Sequence, residues 1–240
     1  KFGIELIDIP MEELLSAMPK EECQVESELM EKASCRNIKE SLPGAMAIYE
    51  GLKKLIEEYG LQGLTIRCFD LLTTLKNTGC IALAKLNSEG IVAGCEGDVP
   101  AMLSMILSRA IAGVSGFQAN PSKINPKTGE MLVAHCTIPF NLVESYELDT
   151  HFESGIGVGI RGYMHEGDIT IFKVSGDFSR YFAEEGQLVR NQAEPNLCRT
   201  QQVLKLNQPE AAKYFLTNPI GNHHIIIPGH CKDILSTLMD

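Results

Sequence analysis

Apolar positions recur at helical spacing through the first quarter of the chain. Met11, Leu14, Leu15 and Met18 fall three and four apart, an acid-rich stretch follows over residues 20–32, and a second periodic run covers residues 45–59. The pattern predicts helix through most of residues 10–60, with Gly60 and Gly63 marking its end. LTIRCF (residues 64–69) reads as a buried strand ending at Asp70, residues 80–86 as a helix, and residues 87–90 as a turn into the short strand IVAGC. An almost uncharged helix then begins at Val99 and stops near Gly113 and Gly116. The opening KFGIELIDI resembles an interior strand, which suggests that a further segment precedes it. Strands alternating with helices predict a parallel, Rossmann-like sheet. Asp70, Glu96 and Asp98 would then sit at carboxyl ends of strands and share the crevice where open α/β sheets take their ligands.

The texture changes after residues 120–129 (NPSKINPKTG), which read as turns. Short runs such as GEMLVAHCTIPF, GIGVGIRGYM, GDITIFKVSG and QQVLKL are separated by Gly, Asp and Ser, with little helix until residues 209–215. They predict an all-β second domain, a small barrel or sandwich. The expected division is an α/β domain over residues 1–125 and a β-barrel-like domain over 126–240.

Charge narrows the choice of partners. The 240 residues carry 21 Lys and Arg against 31 Asp and Glu, a formal charge of −10, which argues against nucleic acid and anionic membranes. The apolar stretch around residues 102–114 is broken by Ser104, Ser108 and Arg109 and falls short of the ~20 residues that span a bilayer. Eight scattered cysteines without a CxxC pair suggest reduced thiols and a cytoplasmic setting. Of these, Cys68 and Cys95 read as small core residues.

Candidate chemistry concentrates in AGCEGDVPAM (residues 93–102), where Glu96 and Asp98 are separated by one glycine at a strand-to-helix corner. Asp98, before Val99 and Pro100, also suits a helix N-cap. GNHHIIIPGH (residues 221–230) opens onto an apolar strand, so His223 and His224 must point to opposite faces and one of them at most is a ligand. His135 follows a buried run, as a core histidine or as a ligand, and His165 reads as an exposed hairpin tip. Carboxylates with one or two imidazoles suit Mn²⁺, Mg²⁺ or another hard divalent ion.

RCFDLL, AGCEGDVPAMLSMIL, AHC, THFESG, GDITIFKVSG and GNHHIIIPGH occur in the order seen in the L-fucose/L-arabinose isomerase family, and the chain resembles the middle and C-terminal parts of such a protein. The resemblance implies a metal-dependent aldose–ketose isomerase, commonly with Mn²⁺, assembled as a trimer or hexamer. It places the family's first acid at or near Asp70, where glutamate is common, and the second at Glu96 or Asp98. The late histidine falls at His223 or His224, and an additional imidazole at His135. It further suggests Asp70, Glu96 and Asp98 as proton-transfer groups working through an enediolate, and His151, Arg161 and Lys173 as sugar contacts. The alternatives are a carbohydrate-binding or regulatory relative without turnover, and a silent scaffold with its histidines packed in the core.

Overall fold

The structure, a computed structural model, describes residues 3–240. Residues 3–9 form no strand, and the rest of the strand expected at the start lies outside the described residues. Helices α1 (Met11–Ala17), α2 (Ser27–Lys32) and α3 (Arg36–Tyr59) follow. α3 begins well before the expected residue 45 and holds Pro43 in its interior. Its buried stripe of Ile38, Leu42, Ala45, Ile48, Leu52 and Leu55 gives more through packing than the missing proline N–H takes away.

β1 (Gly63–Thr65) is only three residues long, because Cys68 already starts α4 (Cys68–Thr74). The run LTIRCF is therefore not one strand, and Asp70 is a helical residue. α5 (Cys80–Ser88) leads to β2 (Val92–Gly94), which pairs in parallel with β1, Gly63 opposite Val92 and Thr65 opposite Gly94. α6 (Val99–Ala112) follows and ends at Gly113 in the left-handed conformation, φ +75°. Among the described residues the parallel sheet has these two strands, fewer than the Rossmann-like sheet expected.

The β-rich half is a closed antiparallel barrel. Its strands are β3 (Phe117–Asn125), β4 (Glu130–His135), β7 (Gly167–Val174), β8 (Tyr181–Asn191), β9 (Thr200–Leu206) and β10 (His224–Pro228), joined in the order β10-β3-β4-β9-β8-β7. β5 (Val143–Asp149) and β6 (Gly159–Met164) form a separate antiparallel pair. α7 (Lys213–Thr217) precedes β10, and α8 (Lys232–Met239) follows it. β3 occupies residues read from sequence as turns. Its Pro121 sits at a register shift against β4, where a proline leaves no ladder bond unmade.

Barrel and helices pack together in two buried clusters, one on each face of β10. Ile225 and Ile227 of β10 pack with Met102, Met105 and Leu235 of α6 and α8, while Ile226 faces the opposite cluster with Phe117, Met131 and Ile169. Polar links tie the halves together. Val174 N–H donates to Ser104 Oγ of α6 (3.0 Å), and Thr78 Oγ1 before α5 donates to Val158 O (2.6 Å). Buried Gln118 of β3 grips the Cys95 backbone twice, accepting from its N–H (2.9 Å) and donating to its C=O (3.2 Å). The corner after β2 is thus pinned to the barrel wall. No helix among the described residues is long and apolar enough to cross a membrane.

Candidate functional site

The centre forms where the β2–α6 corner meets the ends of β4 and β10. Glu96 and Gly97 both take left-handed backbone, φ +62° and +66°. For Gly97 this is ordinary; for glutamate it is a costly conformation of the kind that clusters at functional sites. The turn aims the Glu96 carboxylate between two imidazoles, Oε1 3.5 Å from His135 Nε2 and Oε2 3.4 Å from His223 Nε2. His135 and His223 are each 3% exposed, and their rings lie 5.3 Å apart, edge to face. Neither nitrogen of His135, nor Nε2 of His223, has a hydrogen-bond partner among the described residues. Buried polar atoms are seldom left so.

Asp98 is the expected N-cap, accepting from Ala101 N–H at 2.8 Å. It also meets His223 Nδ1 at 2.9 Å and the Nζ of Lys173 at 3.1 Å. Burial opposes ionisation of Asp98, but the bond from His223, the Lys173 charge and the Ala101 N–H outweigh it and hold its pKa at about 2. The His135 and His223 imidazoles hold Glu96 well below the usual carboxylate range despite burial. For His223 itself, burial favours the neutral ring, yet the Nδ1 hydrogen bond to Asp98 and the neighbouring Asp98 and Glu96 charges raise its pKa to about 8. Lys173, 1% exposed on β7, is pulled down by burial and supported by Asp98.

Asp98 and Glu96 play different parts in this geometry. A carboxylate on Nδ1 fixes the ring and leaves Nε2 free, the arrangement in which an outer carboxylate orients a metal-binding histidine. His135 Nε2 and His223 Nε2 then flank the Glu96 carboxylate, one on each oxygen, while Asp98 is already committed to three partners. The orphaned ring nitrogens fit a divalent cation, which would supply the partners they lack.

Other residues expected at the site stand elsewhere. Asp70 lies on α4, half-exposed and paired with Arg67 (3.1 Å), so the structure does not bring it to Glu96. Strand alternation sends His224 away: it is 1% exposed among Phe182, Tyr214 and Phe215, with Nε2 3.0 Å from Tyr214 Oη. Burial holds its pKa down at about 3. Arg161 faces Glu147 and Asp149 and donates to Arg199 C=O. His151 does share a pocket with Glu96 and His135, beside Phe69, Asn120 and Glu153. His165 is exposed between β6 and β7, as expected of a hairpin tip. His224→Ala is expected to cost about 2–4 kcal/mol in urea unfolding by emptying an aromatic niche, while leaving any Mn²⁺ response intact. A lost Mn²⁺ response would return His224 to the site.

Sequence reading missed Gln118, Cys68 and Cys95. Cys68 Sγ and Cys95 Sγ lie 2.9 Å apart, and ligand atoms of Cys95, Glu96 and His135 all fall within 4.8 Å of one another. Their positions one residue inside two expected strand ends were visible; their convergence was not.

Curated relatives point to a sugar isomerase, an enzyme interconverting aldose and ketose, as the class this chain resembles. The relatives are named sulfoquinovose isomerase. That of Alkalicoccus urumqiensis is 27% identical over 129 residues, covering 51% of this chain and 29% of the relative. That of Priestia aryabhattai is 27% identical over 130 residues, 52% of this chain and 29% of the relative. That of Clostridium sp. (strain MSTE9) is 25% identical over 151 residues, 56% of this chain and 32% of the relative. The matched stretch thus spans less than a third of the length of these relatives. No protein-family model matches the chain.

Proposed function

We propose that this chain contributes the cation-binding half of an aldose–ketose isomerase active site, related in type to the L-fucose and L-arabinose isomerases, with Mn²⁺ as the natural ion. The observation that carries the reading is the pair of buried, unpartnered imidazole nitrogens, His135 Nε2 and His223 Nε2, flanking the Glu96 carboxylate. Glu96, His135 and His223 would hold the ion, whose chemistry when bound is to draw electron density from the sugar's carbonyl and hydroxyl oxygens.

The chain's own residues do the rest. Asp98 and Lys173 lock His223 in register. Isomerisation needs a proton taken from one sugar carbon and returned to its neighbour by a base that is unprotonated and accessible. His151 meets that need: burial lowers its pKa, so it stands neutral near pH 7 on the wall of the Glu96 pocket. Phe69 stands edge-on to His151 at 6.2 Å. The substrate class is a small polyhydroxylated sugar; sulfoquinovose is the particular sugar suggested by the relatives' name. Self-association into a trimer or hexamer belongs to the same proposal.

Mn²⁺ at saturating concentration is expected to raise the melting temperature by several degrees, because an ion bound only by the folded state stabilises it. A panel of aldoses including sulfoquinovose, assayed for ketose with Mn²⁺ on the longest natural form of the protein, should then show turnover. His151→Asn should retain the Mn²⁺ shift and lose turnover by about 10²–10⁴-fold. No shift with any divalent ion would remove the cation reading. Sugar binding without ketose formation would instead leave a carbohydrate-binding relative that has lost turnover.

A further inference from the structure

Five of the eight cysteines, Cys68, Cys80, Cys95, Cys136 and Cys198, line a pocket together with Glu96 and His135. The sugar chemistry uses none of them. Cys68, Cys80, Cys95 and Cys136 are buried, and all five thiols are free. Cys68 starts α4 and Cys95 directly follows β2. Gln118 holds the Cys95 backbone against the barrel, so the thiol faces His135 across a fixed gap.

We propose that the thiol side of this pocket is a second cation site, taking one thiophilic d¹⁰ ion, with Zn²⁺ the physiological representative, through Cys68 Sγ, Cys95 Sγ, a ring nitrogen of His135 and the Glu96 carboxylate. Two independent observations carry this. The ligand atoms of Cys95, Glu96 and His135 already lie within 4.8 Å of one another, and Cys68 Sγ is 2.9 Å from Cys95 Sγ. His135, 3% exposed, has no hydrogen-bond partner for either ring nitrogen.

Tetrahedral zinc, with Zn–S near ~2.3 Å and Zn–N near ~2.0 Å, sets its ligand atoms roughly 3.3–3.8 Å apart. The two sulfurs, 2.9 Å apart, must therefore open by about 1 Å, and Cys68 must swing toward His135 and Glu96 by side-chain rotation. Each thiol gives its proton to solvent as the ion binds, so charge balances. Thiolate donors select zinc over manganese, which prefers oxygen. Because Glu96 and His135 serve both ions, zinc and manganese exclude each other, and zinc would act as an inhibitor. The thiol site stands on its own geometry and holds whether or not the isomerase reading does.

The test is a titration of the reduced, chelator-stripped full chain with Cd²⁺, a spectroscopic stand-in for Zn²⁺, followed by the ultraviolet thiolate-to-cadmium band. One equivalent should saturate the band, and Zn²⁺ should displace it. Cys68→Ser and Cys95→Ser should each weaken binding by more than about a hundredfold, beyond what losing an outer ligand partner costs, whereas Cys136→Ser should leave it in place. X-ray absorption on the zinc-loaded wild type, which needs no variant to fold, should count two sulfur ligands. An oxygen- and nitrogen-only shell, a four-sulfur shell, or a band that persists in the Cys68→Ser, Cys95→Ser double variant would overturn the proposal. A Cys68–Cys95 disulfide that forms in air and leaves no band on reduction would overturn it too. A Mn²⁺ melting shift that survives in the double variant keeps the two sites distinguishable.

Discussion

Glu96→Gln should abolish the Mn²⁺-induced rise in melting temperature and lower Mn²⁺ affinity by more than about a hundredfold, read by calorimetric titration. The amide keeps the shape of the side chain and removes the charge that faces His135 Nε2 and His223 Nε2 at 3.5 and 3.4 Å. Stability without the ion should move little, because the side chain is 30% exposed and its imidazole contacts are longer than hydrogen bonds. Glu96→Gly separates function from folding further. With φ at +62°, glycine relieves a strain of about 1 kcal/mol or more, so this variant should match or exceed the wild type in urea while binding no ion. A protein that gains stability by losing its corner acid would show that the strained turn serves the site. An unchanged Mn²⁺ response in both variants would exclude Glu96 as a ligand.

Lys173→Met should destabilise the fold by about 3 kcal/mol, since it removes one partner of a buried ion pair and leaves the other. Lys173 is 1% exposed, and its ammonium rests 3.1 Å from Asp98, whose side chain is 19% exposed. Asp98→Asn should cost a similar amount, because it strands Lys173 and also weakens the helix cap on Ala101. The double variant should then be less damaged than the sum of the two, by at least about 1 kcal/mol, since each single change removes the same contact. Asp98→Asn alone should also weaken Mn²⁺ binding by about 10–100-fold, through loss of the carboxylate that orients His223 Nδ1. Strict additivity in urea would show that the pair is uncoupled. Unaltered Mn²⁺ affinity would show that His223 needs no outer carboxylate.

Much of the architecture is legible in local pattern. The helix from Val99 with its Asp98 cap and glycine stop, the parallel pairing of two short strands before it, and a barrel of short β runs all follow from periodicity and turn chemistry. Where the reading fails, longer-range packing overrides local preference. Pro43 sits inside α3 because a buried stripe continues on both sides of it, and residues 120–125 extend β3 because β4 requires a partner along them. Cys68 and Asp70 look like a strand end, yet helix begins there, which turns Asp70 out beside Arg67 and Cys68 in beside Cys95.

The sequence alone determined the kinds of group available. It placed two acids around one glycine at a helix start, and a tandem histidine at a strand start, of which period-two alternation allows only one to face the acids. The tertiary structure decided which one and in what role. His223 meets Glu96 and Asp98 while His224 turns into an aromatic niche, because β10 is clamped between β3 and β7 in one register, and register fixes which face each side chain takes. It also separated Glu96 from Asp98. The turn at residues 96 and 97 aims Glu96, while the buried ammonium of Lys173 reaches Asp98 from 75 residues along the chain, and no local pattern encodes that meeting.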